Sequence, residues 1–310
     1  MKSKKKVKTS NVSLKTRIWK SRYYYLMLLP AIAYLIIFTY IPMYGLQIAF
    51  KNFRVSLGIW GSKWIGFRNF TDFFSSFSFE QLLKNTFAIS LYGLFVGFPI
   101  PILVALVLNE IKSKYKNLVQ TVLYAPHFIS TVVLVGIMVN LFSPSQGVVN
   151  TLLGYIGIEP IYFFGDPKYF RHLYVWSGVW QGMGWSAIIY LAALAGVDME
   201  LHEAADIDGA SRLQKIIYIN LPTILPTIII TLILQLGKIA NVGWEKVYLM
   251  QNDLNVATAE VISTYVYKRG IIGQSYSFSS AVGLFNNLVN ISLLLISNTI
   301  SKRVTKTSLF

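Results

Sequence analysis

The chain has no cysteine among its 310 residues. Disulfides, thiol catalysis and cysteine-ligated metals are excluded at once. Charge is scarce as well: Asp, Glu, Lys and Arg make up 13% of the residues, against about 25% in a soluble domain. The three histidines, His127, His172 and His202, are scattered and show no metal-ligand spacing. A phosphate-cradling loop is also missing. Gly237-Lys238 lacks the upstream glycine, and Ile239 stands where Ser or Thr is required. No cleavable signal peptide is expected, because the first apolar block is long and runs into Tyr40-Ile41-Pro42 without a small-residue cleavage site.

What is present is apolar. Hydrophobic residues reach 54% and the mean hydropathy is +0.53, which predicts an all-α polytopic membrane protein. A net charge of +15 would point to nucleic acid in a soluble protein. Here nine Lys and Arg and no acid fall between Met1 and Arg22, so the charge reads as an orientation signal and an attraction to anionic lipid, with no nucleic-acid partner.

Six apolar blocks follow: Tyr23–Phe50, Asn85–Leu108, Val119–Phe142, Leu173–Val197, Thr223–Val242 and Ala281–Ile300. Each approaches or exceeds the ~20 residues that a ~30 Å hydrocarbon core requires. The expected organisation is a basic tail over 1–22, a six-span domain over 23–300 and a short tail over 301–310. With both termini inside the cell, 17 of the 28 Lys and Arg lie on inside segments and 10 on the longer outside ones, as the positive-inside rule asks. The connector Lys51 to Lys84 carries Trp60, Trp64, Phe67, Phe70, Phe73 and Phe74 and reads as an external loop lying at the membrane interface. Longer external connectors also follow the third and fifth blocks. His127 reads as a packing residue, with a proton relay as the alternative.

Between the fourth and fifth blocks lies a polar interval, Asp198 to Pro222, predicted to face the cytoplasm. It is longer and richer in helix formers than a connection requires. Glu203, Asp206 and Ile207 fall on adjacent helical turns, beside the small Ala204 and Ala205. Gly209 permits a bend and Ser211 can cap a second helix. The expectation is two short helices joined at an angle, with Pro222 where the next span sets off.

Glu203-Ala204-Ala205, Asp208-Gly209, Ile219, Leu221 and Pro222 resemble the EAA loop of permease subunits from ATP-binding-cassette (ABC) importers, in the carbohydrate-uptake, MalF/LplB-like branch. Segments Asn241–Lys246, Thr264–Gly270 and Ser280–Phe285 resemble the LplB-type subgroup, which is associated with complex oligosaccharides. The resemblance spans about Arg22 to Arg303. It implies the type I importer permease fold in a bacterial plasma membrane, and a subunit without catalysis or cofactors of its own. It also implies a sister permease, two ATP-binding subunits holding ATP and Mg, and an extracellular solute-binding lipoprotein. Glu203 would meet the ATPase, Gly209 would allow the turn, and Leu221-Pro222 would join the lever to span five.

For the solute path, polar residues inside spans are costly and face cavities or protein. On the fifth span, Gln235, Lys238, Asn241 and Glu245 fall within about 120° of one helical face, at ~100° per residue. Trp244 adjoins them. Asn286, Asn290 and Ser297 form a stripe on the sixth block, with Asn287 beside it. Trp180, Gln181, Trp185 and Tyr190 lie on the fourth. Aromatic platforms with amides suit a sugar, whose ring faces are apolar and whose edges are hydroxylic. The alternative is that these groups bond helix to helix. Gly178, Gly182 and Gly184 are expected to permit close helix approach. Rival readings remain an ion-coupled carrier, a membrane-embedded glycosyltransferase, and an importer permease for a non-sugar solute.

Overall fold

The computed structural model describes residues 14–305 and 307–309; the basic run from Lys2 to Lys8 and the terminal Lys306 lie outside the described residues. Among those described, four helices are long and apolar enough to cross a membrane: Arg22–Phe50, Phe79–Glu110, Arg212–Leu236 and Tyr276–Val304. Two bent pairs bring the number to six. Lys114–Phe128 meets Thr131–Leu141 at 98°, and Pro167–Leu194 meets Met199–Ile207 at 78°. The expected all-α, six-span architecture is present, with several span limits corrected.

The third span is not one helix. Pro126 lies in a tight turn, Ala125–Phe128, and the chain restarts at Ser130, whose Oγ accepts the Val133 N–H at 3.3 Å. The fourth span is the 28-residue helix Pro167–Leu194, about 42 Å long at ~1.5 Å per residue. Asp166 caps it by accepting the Lys168 N–H at 2.9 Å. The fifth span begins at Arg212, ten residues before Pro222, and ends at Leu236 rather than Val242.

Prolines explain two local features. The π-helical turn Ile36–Tyr40 precedes Pro42, and a second, Ile216–Asn220, precedes Pro222. Proline lacks an N–H and its ring clashes with the carbonyl four residues back. One widened turn relieves that conflict and lets each helix continue.

The spans pack through four apolar clusters. One joins Ile102, Ala105 and Leu106 of span two to Ala187, Tyr190 and Leu194 of span four and Ile224 of span five. A second joins Ile89, Leu134 and Met138 to Phe170, Val242 and Val247. A third gathers Phe73, Leu82, Ile262, Tyr265 and Val282, and a fourth sets Ala49 against Phe70 and Ala281. The connector 51–84 is therefore not wholly interfacial. Trp60 and Phe67 are exposed, but Phe70 and Phe73 are buried. Its first part folds back as a short antiparallel ribbon, Lys51 opposite Trp64. Asn69 is buried and donates to the Ala49 carbonyl at 2.7 Å.

Candidate functional site: a polar cavity and an exposed helical turn

Two regions stand out, joined by span five. The first is the polar interval. Helix Met199–Ile207 starts at Asp198, whose Oδ1 accepts the Glu200 N–H at 3.0 Å. It ends in a Schellman turn: the Ala210 N–H bonds to the Ala205 carbonyl at 2.8 Å and the Gly209 N–H to that of Asp206 at 3.1 Å. Gly209 sits at φ +73°, where a Cβ would be strained. Ser211 then opens the next helix through a capping box. Its N–H reaches Gln214 Oε1 at 2.7 Å and its Oγ accepts the Gln214 N–H.

Two separate short helices were expected; the second arm is in fact the first turns of span five. Arg212 to Leu236 runs on through the π turn, and Pro222 is held inside it. Lys215 Nζ lies 2.6 Å from Asp206 Oδ1, tying the two arms. Glu203, Ala204, Asp208 and Gly209 are all exposed, and so are the apolar Leu201 and Ile207.

The second region is a cavity of about 490 Å³ between spans two, four and five. Ile89, Leu94 and Val175 supply apolar wall; Ser90, Gln181, Ser186, Gln235, Lys238, Asn241 and Lys246 supply polar groups. No Asp or Glu lines it. The helix stops at Leu236, and residues 237–243 form a turn and an irregular stretch before helix Trp244–Met250 begins. The expected face of Gln235, Lys238, Asn241 and Glu245 is therefore not a helical stripe. Glu245 falls outside the cavity, on the exposed side of the next helix.

Irregular backbone within a span survives where it lines a cavity and its polar groups are met. Asn290 Oδ1 accepts the Ala240 N–H at 2.9 Å, and Ser263 Oγ donates to the Val242 carbonyl at 2.7 Å. Asn241 Oδ1 receives both Asn286 Nδ2 at 2.9 Å and Asn290 Nδ2 at 3.0 Å. Gly237 admits Leu294, whose Cδ1 would lie 2.5 Å from an added Cβ.

Of the residues expected on a solute path, Gln181, Gln235, Lys238 and Asn241 share this cavity. Gln181 also donates to the Ile129 carbonyl at 2.7 Å, meeting the break in span three. The others lie elsewhere. Trp180 borders an apolar cavity of about 370 Å³ with Trp176 and Phe163. Trp185 stacks on His127, ring centres 4.4 Å apart. The Tyr190 hydroxyl is 2.9 Å from Thr231 Oγ1. Trp244 stacks on Tyr267 at 4.3 Å and, with Asn286 and Asn287, lines a second cavity of about 480 Å³. Asn290 is buried. The Ser297 hydroxyl donates to the Leu293 carbonyl of its own helix.

Gly184 does permit close approach, since an added Cβ would meet the Leu123 carbonyl oxygen at 2.2 Å; Gly182 has nothing within 4 Å. Lys246, which the sequence reading left in the external connector, is the main addition. Its Nζ donates to the Tyr174 carbonyl at 2.9 Å and stands 4.8 Å from the centre of that ring. Burial lowers its ammonium from 10.5 to about 8. A signal existed: eleven residues at ~100° each put position 246 within about 20° of Gln235. No group of three or more His, Asp or Glu able to hold a metal occurs among the described residues.

Comparison with known proteins gives a consistent answer. Residues 97–306 match the family of binding-protein-dependent transport system inner membrane components. Protein LplB of Bacillus subtilis (strain 168) is 43% identical over 300 residues, 96% of this chain and 94% of that protein. The polygalacturonan/rhamnogalacturonan transport system permease protein YteP of the same organism is 41% identical, covering 93% and 90%. A chain in the crystal structure of a bacterial ABC transporter involved in import of the acidic polysaccharide alginate superposes with a TM-score of 0.87. It is 43% identical over 94% of this chain and 99% of that one.

Proposed function

The chain belongs to the family of binding-protein-dependent transport system inner membrane components, and from that premise we propose that it forms part of the path by which oligosaccharides or complex glycan fragments enter a bacterial cell. It is a membrane permease subunit of an ABC importer. Import would be driven by ATP hydrolysis on two separate subunits, which hold ATP and Mg and dock on the helix Met199–Ile207. A sister permease would complete the pore, and an extracellular binding lipoprotein would deliver the solute. Both termini would face the cytoplasm, with the tails at 1–22 and 301–310 on that side.

One observation carries this reading. A single helix, Arg212–Leu236, has the capped turn at one end and the polar cavity at the other. A push on the exposed arm would reach Gln235 and Lys238 through about 25 helical residues. Glu203 and the small Ala204 and Ala205 would meet the ATPase; Asp208-Gly209 would hold the angle; Leu221-Pro222 would pass the motion on. The names of YteP and of the alginate importer, both tied to polysaccharide, support a saccharide cargo. An ion-coupled carrier would call for an embedded acid, and the cavity lining includes none.

The test is uptake by the assembled importer with Glu203→Arg or Gly209→Val. Both should abolish uptake while capture by the binding protein persists. Normal uptake in both would refute the drive through this turn.

A further inference from the structure

The cavity is unusual in its charge. Two ammonium groups, Lys238 and Lys246, line it without a carboxylate. Among the described residues, the ion pairs are Lys215 with Asp206 and Lys268 with Glu260, so neither cavity lysine has an acid within 4.0 Å. Lys238 is exposed whereas Lys246 is half-buried, and a cation partly withdrawn from water without a counter-charge is costly.

We infer that the cavity selects saccharides bearing carboxylate groups, with Lys246 and Lys238 reading the charge. This rests on the import reading above and adds the chemical class of the cargo. Lys246 is held for the task. The Tyr174 carbonyl takes one of its three N–H donors and leaves two. Gly178 gives the amine room: a Cβ there would lie 3.4 Å from Nζ. Lys238 sits on the irregular segment that Asn290 holds in place through Ala240. Asn241 has its carbonyl oxygen occupied by Asn286 and Asn290, so its amide nitrogen is the group left to offer. The cavity is thus biased toward donors. Ammonium–carboxylate hydrogen bonds are the stronger, charge-assisted kind.

The experiment measures equilibrium binding to the purified, assembled importer. The probes are radiolabelled trisaccharides of galacturonate, glucuronate and mannuronate, each paired with its methyl ester. The ester keeps size and hydroxyls and removes the charge. At least one acid should bind about tenfold or more tightly than its ester. Lys246→Gln and Lys238→Gln should each erase most of that preference by weakening the acid far more than the ester. Lys246→Arg should keep it. No acid preferred over its ester, or an unchanged preference in both Gln variants, would overturn the inference. Equal loss of acid and ester binding would also overturn it, because a packing role predicts that pattern. Gly209→Val separates this from the import reading. If Gly209→Val stops uptake while no acid is preferred, the charge inference alone falls; if it imports normally, the import reading falls.

Discussion

Asn290 Oδ1 accepts the Ala240 N–H at 2.9 Å across the gap between spans six and five. This bond satisfies a backbone donor in the irregular segment that follows the helix end at Leu236. The same side chain gives its Nδ2 to Asn241 at 3.0 Å. Asn290→Leu keeps the branched shape and the number of heavy atoms but strands the Ala240 donor, at a cost of about 1–3 kcal/mol. Its melting temperature in detergent should fall and uptake should drop with it. An unchanged melting temperature would mean that the irregular segment 237–243 does not depend on span six.

Two glycines two residues apart should behave oppositely. At Gly184 a new Cβ would meet the Leu123 carbonyl oxygen at 2.2 Å, against backbone that cannot give way easily. Gly184→Ala should therefore destabilise by about 1–3 kcal/mol or more and reduce the yield of assembled complex. Gly182→Ala meets nothing within 4 Å and should assemble normally. Comparable yields from the two would show that spans three and four are less tightly apposed than described.

Lys246 predicts a pH dependence with a definite sign. Its ammonium is held at about 8 in the folded protein, below the ordinary 10.5. Between those values the unfolded chain binds more protons, so stability should rise with pH from about 8 to 10.5, and the charge-borne penalty is constant below. Uptake of an acidic saccharide should move the other way, declining as pH rises through about 8 and the charge is lost. The other titratable groups around the amine are Lys238 in the same cavity and the Tyr174 phenol. Lys246→Arg should abolish the decline near pH 8, because guanidinium stays charged. A decline that persists in Lys246→Arg would assign it to another group.

The capped turn can be tested by conformation alone. Gly209 at φ +73° would cost about 1–2 kcal/mol as a residue with a Cβ. Asn tolerates that region better than most. Gly209→Asn should therefore retain more uptake than Gly209→Val at equal expression. Equal loss in both would point to a need for space at the docking surface rather than for backbone freedom.

Much of this architecture is legible in the sequence because a bilayer enforces it. Six apolar blocks must become six crossings, and Gly209 and Ser211 write their own turn and cap. The breaks are not legible in the same way. Pro126 and Ser130 beside Ile129, and Gly237 and Gly243 around Ala240, are breaker and cap signals, but none of them says which partner meets the freed backbone groups. The compensating partners, Gln181 and Asn290, lie 52 and 50 residues away in sequence. Reading the fifth block as continuous helix therefore placed Glu245 on the cavity face, and ending that block at Val242 left Lys246 in the connector. The interface pattern failed at Phe70 and Phe73 for a related reason: aromatic content marks membrane depth, while burial depends on spans one and six arriving beside them.

The central claim is that the helix Met199–Ile207 receives its drive from an ATP-binding subunit. The absence of native cysteine makes a direct test possible. Ile207, 88% exposed at the end of that helix, can be replaced by a single cysteine carrying a short photo-crosslinker in the intact importer. The account predicts one cross-linked product with the ATP-binding subunit, and protection of Ile207→Cys from membrane-impermeant thiol reagents added outside the cell. Labelling from outside, or cross-linking only to lipid or to the sister permease, would contradict it.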